Sequence, residues 1–266
     1  MAADNTVSKE PLKSRLIFAG LAGAVRPVMN ALIGKTWKGF DSLPQGGFIL
    51  CVNHVTKIDP LVIGHAMYSN GRLPRWLAKE SLFTAPVLGW IMKASGQVPV
   101  ARKSSAAGDS LVVAKQVLDA GGVIIIYPEG TLTRDPNLWP MRGHTGAARL
   151  ALQTGAPVVP MAHWGDQELL PRYSKKLNLF PRKHVVVSAG PAVDLDDLRN
   201  GPRTRSVLQE ATDRIMHEVT RLQAELRGEE PPAKLWDPSE HGQAATGSSY
   251  EAATPVTEKN KPAVED

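Results

Sequence analysis

Apolar and polar positions follow two different periods along this chain. Between Pro11 and Phe40, the residues Ile17, Leu21, Val25, Val28 and Leu32 recur every three or four positions, the spacing of one helical stripe. Pro27 falls inside that stretch. A proline there removes an N–H and crowds the preceding turn, so the pattern predicts two short helices rather than one. Further along, short unbroken apolar runs take over. GFILCV (47–52), QVPV (97–100), GVIIIY (122–127), PVVPMA (157–162) and HVVVSA (184–189) read as buried strands. Helical spacing returns near 60–69, 80–94, 108–120, 144–154 and 203–227. The last of these carries Val207, Leu208, Ala211, Ile215, Val219 and Leu222 on one side. Strands alternating with helices predict an α/β fold, a mostly parallel central sheet flanked by helices.

Composition sets the boundaries. The chain has 266 residues, 42% hydrophobic and 21% charged, which suffices for a large core and excludes wholesale disorder. From Gly228 onward there are eight acidic and three basic residues, few bulky apolar ones, and a Pro231-Pro232 break. This region is expected to be a disordered acidic tail, residues 228–266, behind a domain spanning 41–227. The whole chain is +5 and the tail −5, so residues 1–227 carry +10. A body this basic suits phosphate-bearing partners such as anionic lipid.

Residues 1–40 form a separate N-terminal segment. Arg15 and Arg26 are expected on the side opposite the stripe, with Lys13, Lys35 and Lys38 flanking it. Amphipathic helices lying on a membrane surface fit this pattern, and helices packed on the core fit it equally. A signal peptide is disfavoured by Asp4 and Glu10. The chain lacks a 20-residue uncharged apolar run, which argues against a simple membrane-spanning helix. A single cysteine, Cys51, excludes an intrachain disulfide and a cysteine-cluster metal site, and its place in an apolar strand reads as inert core.

Several common motifs fail. The GKT at 34–36 is not a phosphate loop, because the glycine such a loop needs is Met29. G-x-S-x-G, H-E-x-x-H, G-x-G-x-x-G, zinc-finger and RNA-recognition signatures are all missing from the sequence, and with 6% aromatic residues a nucleic-acid partner is not expected. What remains lies at strand ends. Asn53-His54-Val55-Thr56-Lys57-Ile58-Asp59-Pro60 follows the first strand. Pro60 suits the first turn of a helix and makes Asp59 a natural cap. The loop is long enough to bring the Asp59 carboxylate to the His54 ring. That pairing leaves the other ring nitrogen free as a general base. No serine nucleophile stands in the same motif, so the base would act on an external hydroxyl. Arg102 ends the strand at 97–100. Tyr127-Pro128-Glu129-Gly130-Thr131 follows the most apolar strand, with Arg134 beyond it, and Val159-Pro160 lies inside the next strand. Arg102 and Arg134 are candidates for phosphate contacts, and Gly130 for close approach of backbone to a ligand.

These blocks, in this order, resemble the glycerolipid acyltransferase family, the PlsC-like 1-acylglycerol-3-phosphate acyltransferases. The family's N-H-x4-D is matched by Asn53, His54 and Asp59. Its second block is matched by Gly96, Val98, Pro99, Val100 and Arg102, its third by Tyr127 through Thr131, and its fourth by Val159 and Pro160. The match spans roughly residues 35–190. The resemblance implies a glycerolipid acyltransferase-like fold. It also implies transfer of a fatty acyl group from acyl-CoA or acyl carrier protein to the sn-2 hydroxyl of 1-acylglycerol 3-phosphate, giving phosphatidic acid. By the same resemblance His54 takes the hydroxyl proton and Asp59 orients it. Arg102 grips the acceptor phosphate, Glu129, Gly130 and Thr131 shape the acceptor site, and Val159 and Pro160 serve the acyl or thioester end. No metal or other cofactor is implied, and the expected place of work is the cytoplasmic face of the cell membrane. Many family members place arginine directly after E-G-T. Here Leu132 stands there, and Arg134 or Arg142 is the nearest replacement. This departure keeps open another lysophospholipid or a glycolipid polyol as acceptor. A lipid-binding module without activity is the reading from another class. Beyond these blocks, His163 and Trp164 are expected in core packing or along the acyl pocket. Lys103 is a candidate to assist Arg102 at a phosphate and fits a solvated lysine equally, and Arg142 with His144 precede a helix start where an anion can sit.

Overall fold

The computed structural model describes residues 10–100 and 107–244. A seven-stranded sheet forms its centre, in the order β1-β7-β6-β2-β5-β3-β4. These strands are β1 (Ile33–Lys38), β2 (Phe48–Val52), β3 (Pro74–Lys79), β4 (Val98–Val100), β5 (Val123–Ile126), β6 (Val158–Trp164) and β7 (Lys183–Ala189). Strands β6, β2, β5, β3 and β4 run parallel, while β7 is antiparallel to β6 and β1 parallel to β7. The mostly parallel sheet expected from the apolar runs is present.

The central strands are buried on both faces, which explains their unbroken hydrophobicity. Side chains alternate across the sheet, so each strand feeds two cores. Phe48, Leu50 and Val52 of β2 pack with α1 (Leu12–Leu32) and α2 (Asp59–Ser69) on one face. Ile49 and Cys51 face α4 (Ala107–Asp119), α5 (Gly146–Thr154) and α8 (Arg205–Arg227) on the other. Burial pushes the Cys51 thiol far up, so it is inert core as expected. Three shorter helices, α3 (Pro86–Ala94), α6 (Asp166–Leu169) and α7 (Asp196–Arg199), complete the layers among the described residues. Helix α8 ends as its sequence predicts, with Thr204 capping the first turn and Gly228 left-handed after the last.

Four expectations need correction. Residues 12–32 form one helix, not two, with Pro27 inside it. The carbonyl that Pro27 leaves unbonded belongs to Gly23, four residues earlier. Both residues lie on the exposed side, so that carbonyl is open to solvent and its lost bond costs less than it would in the core. The buried line of α1 is also rotated from the predicted stripe. Phe18 and Met29 are buried and Val25 and Leu32 lean on the core, whereas Val28 is exposed and Arg26 lies over the Tyr68 ring. Strands β1 and β3 were not legible as strands, because their sequences IGKTWK and PRWLAK lack a continuous apolar run. The 80–94 helix is instead a short 3-10 turn, Glu80–Phe83, followed by α3.

The fourth concerns the tail. Residues 229–244 are not loose chain but lie against the body. The Trp236 carbonyl accepts from Arg142 N at 2.9 Å, Asp237 pairs with the Arg142 guanidinium at 2.8 Å, and Pro238 is buried at the start of a 3-10 turn. Composition missed this because the anchoring groups are few and scattered. Residues 245–266, the rest of the expected tail, lie outside the described residues. Among the described residues no helix is long and apolar enough to cross a membrane.

Candidate active site

Three neighbouring parallel strands, β6, β2 and β5, end on the same side of the sheet, and the loops leaving them carry the polar groups predicted to do chemistry. Asn53 is the first residue beyond β2. Its side chain copies a strand's hydrogen bonding: Nδ2 donates to the His163 carbonyl at 3.1 Å and Oδ1 accepts from His163 N at 3.0 Å. This clamp ties the end of β2 to the end of β6 and aims the loop that follows.

In that loop Asp59 folds back as the spacing predicts. The residue opens α2, with Pro60 next to it in the first turn. Its carboxylate accepts from Val55 N at 2.8 Å and Thr56 N at 3.0 Å, and Oδ2 lies 2.8 Å from His54 Nδ1. Asp59 is fully buried, which by itself raises a carboxyl's pKa. The His163 and His54 rings outweigh that and hold the group well below the usual carboxylate range. The His54 ring stacks on Tyr127 at 4.1 Å and 18°, and remains 18% exposed. Nδ1 is committed to Asp59, so Nε2 is the nitrogen left to accept a proton from an incoming group.

Glu129 sits beneath this loop and braces it. Oε1 accepts from His54 N and Oε2 from Met141 N, both at 2.9 Å. Burial pushes its carboxyl up to about 8, against the pull of those two N–H donors. Gly130 has φ +71 and closes a turn onto the Tyr127 carbonyl at 3.0 Å, which points Glu129 inward. Thr131 follows it, half-buried. Leu132, at the departure from the family pattern, is buried. Arg134 is 2% exposed, and its Nε and Nη2 have no hydrogen-bond partner among the described residues. Guanidinium donors of this kind are suited to an anionic group. Arg102 and Lys103 lie outside the described residues.

Val159 and Pro160 are placed differently from the expectation. Val159 belongs to the core under α1 and α2, and Pro160 is buried with its carbonyl accepting from Gly190 N at 2.9 Å. They support the sheet below the site and do not line it, because β6 is a central strand with both faces covered. Trp164 packs too: the Arg227 guanidinium lies between the Trp164 and Trp139 rings, at 4.4 and 3.9 Å.

His163 is the residue the sequence undervalued. Its Nδ1 lies 2.9 Å from Asp166 Oδ1, and its Nε2 lies 2.9 Å from the Asn53 carbonyl and 3.4 Å from Asp59 Oδ2. Both ring nitrogens face atoms that only accept, so both carry hydrogen and the ring is a buried cation. Burial opposes that charge, but the Asp166 and Asp59 carboxylates overcome it and raise the ring's pKa well above its ordinary value. Asp59, His163 and Asp166 are close enough together to suggest a metal site. Yet a doubly protonated imidazole has no lone pair for an ion, so the trio reads as a charge network. Two further members were missed: Asp166, three residues beyond His163, and Gln223, whose Oε1 accepts from Asn53 Nδ2 at 3.3 Å. A glutamine among the mostly apolar buried positions of α8, which also include Thr212 and Thr220, was the available signal for the latter.

Comparison with known proteins agrees with this geometry. Residues 36–164 match the family model described as Acyltransferase. A 1-acyl-sn-glycerol-3-phosphate acyltransferase of Brassica napus is 29% identical over 61% of this chain and 48% of its own, so this chain spans about half that relative's length. A protein of the same name from Streptococcus pneumoniae is 23% identical over 84% of this chain and 80% of its own. The crystal structure of the 1-acyl-sn-glycerophosphate acyltransferase PlsC from Thermotoga maritima superposes with a TM-score of 0.58 and 21% identity, covering 82% of this chain and 83% of that one, which shows a shared fold. The matched residues 36–164 thus carry an acyltransferase-like region, with its N-H-x4-D loop folded as a histidine–aspartate pair.

Proposed function

We propose that this chain moves a fatty acyl group from a thioester donor to the sn-2 hydroxyl of 1-acylglycerol 3-phosphate. The observation that carries the reading is the His54–Asp59 pair, at 2.8 Å, on the exposed end of a buried network. His54 Nε2 takes the hydroxyl proton as the oxygen attacks the thioester carbonyl. The C–S bond then breaks, the proton passes from His54 to the departing thiolate, and the products are the ester and a free thiol. Asp59 holds the ring in the required tautomer and offsets its transient charge. The chemistry needs no metal or redox cofactor, since a thioester is already activated. Arg134, with buried guanidinium atoms unpartnered among the described residues, supports an anionic acceptor, and Arg102 is assigned the same role by the family's second block.

An acceptor with a fatty chain resides in a bilayer, so the enzyme is expected at a membrane surface, on the cytoplasmic side where the donor is found. The outward side of α1 supports this. Leu16, Ala19, Ala24, Val28 and Ala31 are exposed there and no charge interrupts them. Trp90, 69% exposed on α3, is a second apolar point, and the +10 body favours anionic lipid.

The test is acyl transfer by the purified full chain, from acyl-CoA to lysophosphatidate, lysophosphatidylcholine and a neutral monoacylglycerol. Lysophosphatidate is expected to be preferred, and His54→Ala to lower kcat by about 10²–10⁴-fold. Undiminished turnover in the variant would remove His54 from the mechanism.

A further inference from the structure

His163, the next-to-last residue of β6, is completely buried and grips the Asn53–His54 junction with both its backbone and its ring. Its N–H and carbonyl hold the Asn53 side chain at 3.0 and 3.1 Å. Its ring Nε2 donates at 2.9 Å to the Asn53 carbonyl, the oxygen of the peptide that leads into His54. The same Nε2 lies 3.4 Å from Asp59 Oδ2, the oxygen that stands 2.8 Å from His54 Nδ1. The other ring nitrogen faces Asp166 Oδ1 at 2.9 Å. A turn that only glycine fits puts Asp166 there: Gly165 has φ +107, and a Cβ on it would come within 2.1 Å of the His184 carbonyl oxygen. A ring that merely filled space under the sheet would need no buried carboxylate of its own.

Two imidazoles thus compete for one carboxylate oxygen. A carboxylate beside an imidazole favours the ring's charged form, and a protonated His54 cannot act as a base. A fixed cation 3.4 Å from the same oxygen takes up part of that charge. We propose that His163 is a positioning residue for acyl transfer: through the Asn53 carbonyl and the shared Asp59 oxygen, its buried cation holds the His54 ring in place and leaves Nε2 bare when the acceptor hydroxyl arrives. The same cation eases the return of the acquired proton from His54 to the departing thiolate. Asp166 is the counter-charge that keeps His163 protonated in spite of burial. The other groups packed around the trio do not replace it. Tyr127, beyond β5, is a buried phenol pushed well above its usual range and stays neutral. Glu129 is pushed up to about 8 and is mostly protonated at neutral pH, and α8 contributes the uncharged Gln223. The inference rests on the acyl-transfer reading and adds a residue to its machinery.

The experiment compares the full chain with two variants. His163→Gln/Asp166→Asn removes the cation and its counter-charge together, and Gln223→Met loosens the same Asn53 clamp without touching a charge. Imidazole nitrogens are followed by NMR in the free protein, the His54 signals being those lost in His54→Gln. In wild type at pH 7 both nitrogens of His163 are expected to carry hydrogen, a reading that needs no variant. The His54 titration midpoint is expected to be higher by about half a pH unit or more in the double variant, and unmoved in Gln223→Met. The acid limb of kcat/KM for acyl-CoA and lysophosphatidate is expected to move by the same amount. A bare nitrogen on His163, or equal His54 midpoints in wild type and the double variant, overturns the proposal, as does an equal rise in Gln223→Met. A raised midpoint in a protein that acylates no acceptor would sink the proposed reaction and leave the coupling of the two rings standing.

Discussion

Around Asp59 two imidazoles share one carboxylate, and the division of labour follows from their surroundings. His54 is partly exposed and free at Nε2, whereas His163 is buried, doubly protonated and wedged between Asp59 and Asp166. Removing His163 leaves two buried carboxylates without their counter-charge. His163→Gln is therefore expected to destabilise the protein by about 3–5 kcal/mol in urea denaturation, and His163→Gln/Asp166→Asn to recover part of that loss. A single variant as stable as wild type would mean that the ring is ordinary filler. The same network sets a pH dependence. Burial raises the Glu129 carboxyl from 4.5 to about 8, so the native state keeps a proton there that the unfolded state loses. Stability tied to Glu129 accordingly falls as pH climbs from 4.5 to 8. His163 has the same sign, its contribution complete below 6.5 and lost as pH rises through its raised native value. Thermal midpoints measured from about pH 5 to pH 9 should decline, and more steeply in wild type than in Glu129→Gln. Parallel curves would argue that Glu129 is ionised throughout. At this scale the sequence announced His54, Asp59, Glu129 and Gly130, because each sits in a motif at a strand end. It undervalued His163, expected only in core packing or along the acyl pocket, and hid Asp166 and Gln223, because the partners of this network come from three separate stretches of chain.

The strands covered on both faces were the easiest to read. The strands β2, β5 and β6 are covered on both faces and read as plain apolar runs, while β1, at the edge, mixes polar with apolar residues. Helix α1 shows the limit of a local rule. Pro27 should break a helix, but it and Gly23, whose carbonyl loses its bond, both face outward, where that group is open to solvent. Pro27→Ala restores the missing hydrogen bond and is expected to stabilise the protein by about 1–2 kcal/mol, read as a raised urea midpoint. A lowered midpoint would show instead that the ring's restriction of the unfolded chain outweighs the missing bond. The outer face of α1 makes a separate prediction. Leu16→Ser/Val28→Ser touches only exposed positions, so folding should be unaffected while sedimentation with anionic vesicles falls severalfold. Unchanged sedimentation would move membrane contact elsewhere, with Trp90 on α3 the next surface to test.

At the scale of the whole molecule, distant segments meet around the site. Residues 229–244 return to the start of α5 and tie down Arg142, while α8 sends Gln223 under Asn53. The basic excess seen in composition becomes specific only here. Arg134 is sealed beside the His54 loop, and Arg142, Arg149, Arg203 and Arg205 surround a separate cavity. The tail's acidic residues do not simply dilute that charge, since Asp237 neutralises one arginine and leaves its neighbours available.

By itself the sequence determined the layered α/β architecture, the strand-end loop that pairs His54 with Asp59, and the resemblance to acyltransferases. Each is encoded locally, in apolar periodicity or in a motif a few residues long. Tertiary structure alone decided which arginines gather where, that His163 carries a buried charge, that Val159 and Pro160 serve the core, and that residues 229–244 dock. Those outcomes depend on groups far apart in the chain, and on desolvation that exists only once the sheet is covered on both faces.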